Sequence, residues 1–290
     1  MPAAGAVVEV GQARRSLVTG AASGIGRALV AALAGTGDRV LATDIDSDAL
    51  ERTAADDGWS PQIERLRLDV REAAGWDTAV AEAERLWGGL DVVANVAGML
   101  RPAELHAVTD ADIELHLDVN VRGVVLGSRA AARHMRPRGT GHIVNVASLA
   151  GMAPIPGISL YSASKYAVRG FSLAIADELR PHGVAVTVLC PDAVRTPMLD
   201  LQVDYPEAAL TFTAPRFLDA DDIADMIVDR ILPRRPLLVA VPRSRGLLAR
   251  FADCFPAAQR PLAGLLRRFG RRRQRTFERD RPTGDRGRRD

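Results

Sequence analysis

The strongest constraint on this chain is a change of period that repeats along it, as short apolar runs alternate with longer amphipathic stretches. The runs predict strands at 16–20, 39–44, 64–70, 90–95, 142–147, 184–190 and 236–241. Between them the apolar spacing predicts helices at 24–34, 47–56, 78–86, 111–134, 159–179 and 221–231. Strands separated by helices cannot pair as hairpins, so each must return parallel to the last, with helices covering both faces of the sheet. An α/β fold with one doubly wound parallel sheet of about seven strands follows. No composition shift marks a linker and no internal repeat is evident, so residues 14–242 read as a single domain. Residues 1–13 and 243–290 flank it as extensions.

The first strand runs into Thr19-Gly20-Ala21-Ala22-Ser23-Gly24-Ile25-Gly26, and a helix opens inside that cluster. Glycines there let the backbone approach a pyrophosphate, and the helix N-terminus offers free amides and the positive end of a dipole. The spacing is G-x-x-x-G-x-G, not the general G-x-G-x-x-G, but strand, turn and helix stand in the order that a Rossmann-type dinucleotide site requires. Asp44 ends the second strand about 20 residues beyond the glycines, where a carboxylate bonds the adenosine ribose and repels a 2′-phosphate. Ser23 and Ile45 bring no positive charge to that place, so NAD is expected over NADP.

A second stretch, Tyr161-Ser162-Ala163-Ser164-Lys165, holds the only lysine among 38 basic residues and one of only three tyrosines. On a helix the two share a face, and an ammonium beside a phenol favours the phenolate. Alone, the pair reads more readily as a solvated surface pair. Only three asparagines occur, Asn95, Asn120 and Asn145, and all lie at strand ends or motif positions. Asn95 has a partly structural reading, tying strands behind the cofactor, and Asn145 a wholly structural one.

With these motifs in this order, residues 14–242 closely resemble the classical short-chain dehydrogenase/reductase family. The resemblance assigns Gly20, Ser23, Gly24, Ile25 and Gly26 to the cofactor turn. Asp69 and Val70 become the pair that holds adenine, and Asn95-Val96-Ala97-Gly98 stands for the family's Asn-Asn-Ala-Gly. Asn120, Ser148, Tyr161 and Lys165 fall on the catalytic tetrad. Pro191, Val194 and Thr196 take the nicotinamide side, joined by Tyr161 and Lys165. The family usually has Gly after Pro191; Asp192 stands here, a residue expected to tolerate the positive φ that a glycine position often requires. The implied chemistry is interconversion of a secondary alcohol and its ketone. Tyr161 is the general acid/base, Lys165 and the positive nicotinamide ring depress its pKa, Lys165 holds the ribose, Ser148 bonds the substrate oxygen, and Asn120 holds a water relay. A homodimer or homotetramer is implied as well.

The segments expected to line the substrate side are apolar: Met99-Leu100, the 149–160 stretch with Met152, Pro154, Ile155 and Ile158, and Met198, Leu199 and Leu201 in a mobile-looking, Pro-rich lid at 195–217. An apolar alcohol or ketone is therefore expected. Alternatives are an NADPH-dependent 3-oxoacyl-type ketoreductase, which Asp44 opposes, and a non-catalytic NAD-binding regulator, which the retained Tyr/Lys pair opposes.

Composition closes off other classes. Hydrophobic residues make up 47% and charged residues 26% of the 290, an ordinary globular balance. Cys190 and Cys254 match no metal-ligand spacing, no apolar run is long enough for a bilayer, and residues 1–12 lack the pattern of a signal peptide. A cytoplasmic protein is expected. The net charge of +2 is uneven: residues 267–290 hold eleven arginines and four acids, leaving the first 266 net negative by five. The body gives no reason to expect nucleic-acid binding. In the tail, Leu262, Leu265, Leu266 and Phe269 recur at helical spacing beside arginines, which fits a basic amphipathic helix on an anionic membrane. The preferred alternative is a short docked helix followed by a solvated, disordered tail from about Arg271.

Overall fold

Val92–Asn95 and Gly141–Val146 are buried at every residue, the condition of strands covered by helices on both faces. In the computed structural model, which describes residues 13–257, 261 and 263–280, they are β4 and β5 of one seven-stranded parallel sheet. The others are β1 (Arg15–Thr19), β2 (Arg39–Asp44), β3 (Ile63–Arg67), β6 (Val184–Pro191) and β7 (Leu238–Val241). The order β3-β2-β1-β4-β5-β6-β7 reverses direction of growth at β1/β4, the point where such sheets bind ligands. β3 is an edge strand whose burial alternates, and it stops at Arg67 rather than Val70 because Asp69 turns the chain onto Arg71.

The helices are α1 (Gly24–Gly35), α2 (Ser47–Asp56), α3 (Ala73–Trp87), α4 (Asp110–Leu117), α5 (Gly123–Met135) and α6 (Ser159–Leu179). A π turn, Asp118–Arg122, joins α4 to α5, so the predicted long helix is real but locally widened by a π bulge, with Asn120 at its centre. Thr109 starts α4 with a reciprocal capping box to Asp112. Gly127 of α5 allows close approach: a Cβ there would strike the Trp76 ring and the Asn95 side chain. Two apolar layers result, one led by Leu29, Leu33, Val40 and Ile227, the other by Leu17, Trp76, Val93 and Ile143.

The 195–217 stretch is more ordered than its prolines suggest. It forms α7 (Pro197–Leu201) and a 3₁₀ turn, Pro206–Thr213, and a bridge between Val194 and Leu218 closes its base. Beyond it lie α8 (Ala220–Met226), a π turn (Ile227–Ile231), the short α9 (Leu232–Arg234), α10 (Arg243–Cys254) and α11 (Ala263–Asp280). The expectation that order ends near Arg271 is corrected, because α11 runs on to Asp280 and docks on the 3₁₀ turn. Gln274 is 5% exposed and its Nε2 donates to the carbonyls of Gln202, Val203 and Tyr205 at 2.9, 3.0 and 2.8 Å. Phe277 packs against Phe212 and Phe217, with centroids 5.7 and 5.1 Å apart. Side-chain contacts of this kind outweigh the repulsion along an arginine run. Residues 1–12, 258–260, Leu262 and 281–290 lie outside the described residues.

Candidate active site

Ser23 caps α1 with extended backbone and no side-chain hydrogen bond, and no acid occupies the first turn, so the amides at this N-terminus are free for an anion. Gly24 has φ +53, and Gly26 has no room for a side chain because a Cβ would strike the Gly20 carbonyl. Thr19 holds the opposite wall, its Oγ1 accepting from the amides of Val96 and Ala97 at 3.0 Å each. Thr196 stands over the turn, its methyl 3.0 Å from where a Cβ on Gly24 would sit.

These groups line a cavity of about 700 Å³ along the C-terminal ends of the strands. Gly20, Ser23, Gly24, Ile25, Gly26, Asp44, Asp69, Val70, Ala97 and Gly98 line it, as do Ser148, Tyr161, Lys165, Pro191, Val194 and Thr196. Asp44 accepts from the amides of Ala22 and Asp46 at 3.0 and 3.1 Å, which aims it across the entrance to the glycine turn. Asp69 is held by Arg71, whose Nη2 donates at 2.6 Å; that bond keeps the Asp69 carboxyl below its usual range. A free helix N-terminus, a side-chain-free turn and a carboxylate at the far end fit a dinucleotide.

Two predicted residues stand behind the wall. Asn95 is buried, its Nδ2 donating to Asn145 Oδ1 at 2.7 Å, so it ties β4 to β5 and does not face the cavity. Its assignment to cofactor contact is corrected to a supporting one; Asn145 is structural, with Ser128 and Ser172 as further partners. Asn120 is fully buried beneath Gly98. It accepts from Met99 N at 2.8 Å and donates to Met99 O at 2.9 Å and Ser164 Oγ at 3.0 Å. Ser164 and the π turn that aims Asn120 went unread in the sequence, since neither leaves a compositional mark.

Tyr161 and Lys165 rise from one face of α6, with Nζ 5.5 Å from the ring centroid. Lys165 is 3% exposed and donates to the Val146 carbonyl at 2.9 Å. The phenol shares the cavity with Ser148, whose Oγ accepts from Ala150 N at 3.1 Å and donates to Pro191 O at 3.5 Å. Burial pushes the phenol up to about 12 against the lowering effect of Ser148, and burial brings the ammonium down to about 8. The expected depression of the phenol rests on Lys165 together with the positive nicotinamide ring; in the protein by itself desolvation wins.

The substrate end is walled by Met99, Leu100, Leu149, Ile155, Ile158, Met198, Leu199 and Leu201, as expected, and by Leu115, Val119 and Leu210. Met152 is instead a core residue and Pro154 points to solvent. Asp192 has no positive φ, so its tolerance of that conformation is not what keeps the loop in place. Its carboxylate accepts from Arg245 Nε of α10 at 2.8 Å, and both residues line the cavity. Arg245 lies beyond the last strand, and only the return of α10 over the site reveals it.

The profile of the short chain dehydrogenase family matches residues 14–205. The 2-(R)-hydroxypropyl-CoM dehydrogenase of Xanthobacter autotrophicus is 36% identical over 199 residues, 67% of this chain and 80% of that protein. The 3-alpha-(or 20-beta)-hydroxysteroid dehydrogenase of Mycobacterium tuberculosis is 33% identical over 213 residues, covering 73% of this chain and 80% of the relative. Among solved structures, a short chain dehydrogenase/reductase from Burkholderia phymatum in complex with NAD superposes with a TM-score of 0.77. It is 26% identical, over 86% of this chain and 95% of that one. Profile, relatives and fold agree with the cavity's own chemistry: the chain belongs to the short-chain dehydrogenase/reductase family and is an oxidoreductase of CH–OH groups.

Proposed function

We propose that the protein interconverts an apolar secondary alcohol and its ketone with NAD, using Tyr161 as general acid/base. The observation that carries this reading is the meeting of Ser148, Tyr161 and Lys165 in one cavity, between a free helix N-terminus and an apolar wall. When bound, the cofactor supplies the hydride acceptor and, oxidised, a positive ring that opposes the effect of burial on the phenol. The backbone amides of the glycine turn bind the pyrophosphate, Asp44 the ribose hydroxyls, and Val70, whose carbonyl is braced by Trp76 Nε1 at 3.0 Å, the adenine. Lys165 orients the second ribose from its seat on the Val146 carbonyl. Ser148 donates to the substrate oxygen and shares the charge that develops there. Tyr161 takes the hydroxyl proton in oxidation and returns it in reduction. Asn120 and Lys165 flank Gly98, 3.3 and 3.4 Å from where its Cβ would lie, and Asn120 positions the water through which Lys165 exchanges protons with solvent.

One relative is named for 2-(R)-hydroxypropyl-CoM and another for hydroxysteroids, and the apolar wall suits a substrate of the second kind. Homodimers or homotetramers in the cytoplasm complete the reading, supported by membership of the family. Turnover over a panel of alcohols tests the substrate class: aliphatic and sterol-like secondary alcohols are expected to exceed small polyols in kcat/KM, and the reverse order would overturn it.

Cofactor choice is tested at Asp44. Among the described residues that line the cavity, Arg71 follows the adenine pair Asp69-Val70 and is committed to Asp69, so it is not free to neutralise a 2′-phosphate. Asp44→Ala is expected to lower kcat/KM for NAD by about 10- to 100-fold, the loss of charge-assisted hydrogen bonds, and to raise that for NADP. Steady-state titration with both nucleotides measures it; a variant that keeps the wild-type preference refutes the assignment.

A further inference from the structure

Half of the large apolar side chains that the described residues expose lie in α10, at its C-cap or in α11. On α10 they are Leu247, Leu248 and Phe251, with Phe255 at its C-cap, 57–67% exposed; on α11 they are Leu265, Leu266 and Phe269, 41–67% exposed. α11 also carries seven arginines against two acids. Helical geometry sorts these groups. Gly270, Gln274 and Phe277 form the face that holds the 3₁₀ turn of the lid. Arg268, Arg271, Arg272, Arg275 and Arg279 fall on the far arc, all exposed, with Leu265 and Phe269 along its flank.

We infer that the outer face of α11 docks this enzyme on an anionic lipid bilayer, its arginines at the headgroup phosphates and Leu265 and Phe269 at the acyl boundary. No described helix is long and apolar enough to cross a membrane, so the contact is peripheral. The arc is complementary in charge to acidic headgroups, while a second copy presenting the same arc would be repelled. Nucleic acid would use the arginines but has no place for the exposed leucine and phenylalanine beside them; a bilayer interface takes both. The opposite face of the helix grips the lid, so docking sets the bilayer against the covering of the substrate pocket. That consequence draws on the apolar-substrate reading; the docking itself stands on the helix alone.

The test is co-sedimentation of the full-length protein with vesicles of phosphatidylcholine containing phosphatidylglycerol, beside pure phosphatidylcholine vesicles and a duplex DNA competitor. Wild type is expected to sediment with the anionic vesicles only. Leu265→Ser and, separately, Arg268→Glu with Arg272→Glu are each expected to lower the partition coefficient by about tenfold or more. Both variants should keep wild-type far-UV circular dichroism and turnover of a water-soluble alcohol, because these side chains touch neither lid nor cavity. Failure of wild type to sediment overturns the inference. So does Leu265→Ser binding as wild type while DNA strips the protein from the vesicles, which would make the arc a polyanion site. Each result is independent of which alcohol the enzyme oxidises.

Discussion

Replacing Tyr161 by Phe is expected to lower kcat by about 10²- to 10⁴-fold, the usual contribution of a positioned acid/base, while the dissociation constant for NAD stays within about twofold. Phe keeps the ring and its packing and removes the hydroxyl that shares the cavity with Ser148. No other group can stand in. Tyr166 donates its hydroxyl to Asp253 at 2.8 Å, away from the cavity, and Tyr205 does not line it. The Cys190 thiol is buried in the layer beneath and pushed up to about 11. The pH profile carries the same argument. Alcohol oxidation needs the phenolate, so its rate should rise with pH; ketone reduction needs the phenol and should fall. Because burial moves Tyr161 and Lys165 in opposite directions, toward about 12 and about 8, the apparent pKa belongs to the pair. In Tyr161→Phe the residual rate should lose that dependence. Wild-type turnover in the variant, measured with calorimetric NAD binding alongside, would remove Tyr161 from the mechanism.

How far the sequence reached depends on what each residue's neighbours are. Strands such as Val92–Asn95 were legible because two covered faces demand unbroken apolar residues, and the glycine turn because backbone approach leaves a mark in composition. Asp44, Tyr161 and Lys165 were placed by spacing and Ser148 by the family resemblance, and all four are found around one cavity. Tertiary partners were not legible. Asn95 looks like a cofactor residue until Asn145 and Ser128 are seen to occupy it. Asp192 invites a backbone argument until Arg245 arrives from a helix 53 residues on. The arginine run past Arg271 suggests a solvated tail until Gln274 and Phe277 are found against the lid. A local pattern reports propensity and period; it cannot report which carbonyls a distant glutamine will satisfy.

Lys165→Arg is expected to cost more than its conservation of charge suggests, with kcat/KM falling by about 100-fold or more, near the loss in Lys165→Met. The pocket is cut to an ammonium. Nζ sits on the Val146 carbonyl at 2.9 Å and beside Gly98, 3.4 Å from where a Cβ on that glycine would stand. A guanidinium is planar, wider and carries five donors, of which this seat satisfies one. Each donor left buried and unpaired costs about 1–3 kcal/mol, so the variant should also melt lower, by about 2–4 °C per kcal/mol lost. Titration separates the residues further. Burial brings Lys165 down to about 8, which lets it release and regain a proton near neutral pH, whereas arginine stays protonated throughout. If the amine relays protons, Lys165→Arg should be impaired even where it is folded, and its loss should lie in kcat as well as in KM. Rates taken well below both melting temperatures, with NAD affinity measured beside them, separate collapse of the seat from loss of the relay. Near-wild-type turnover would mean that any fixed cation beside the phenol suffices, and the place of a single lysine in a chain otherwise basic only through arginine would need another cause.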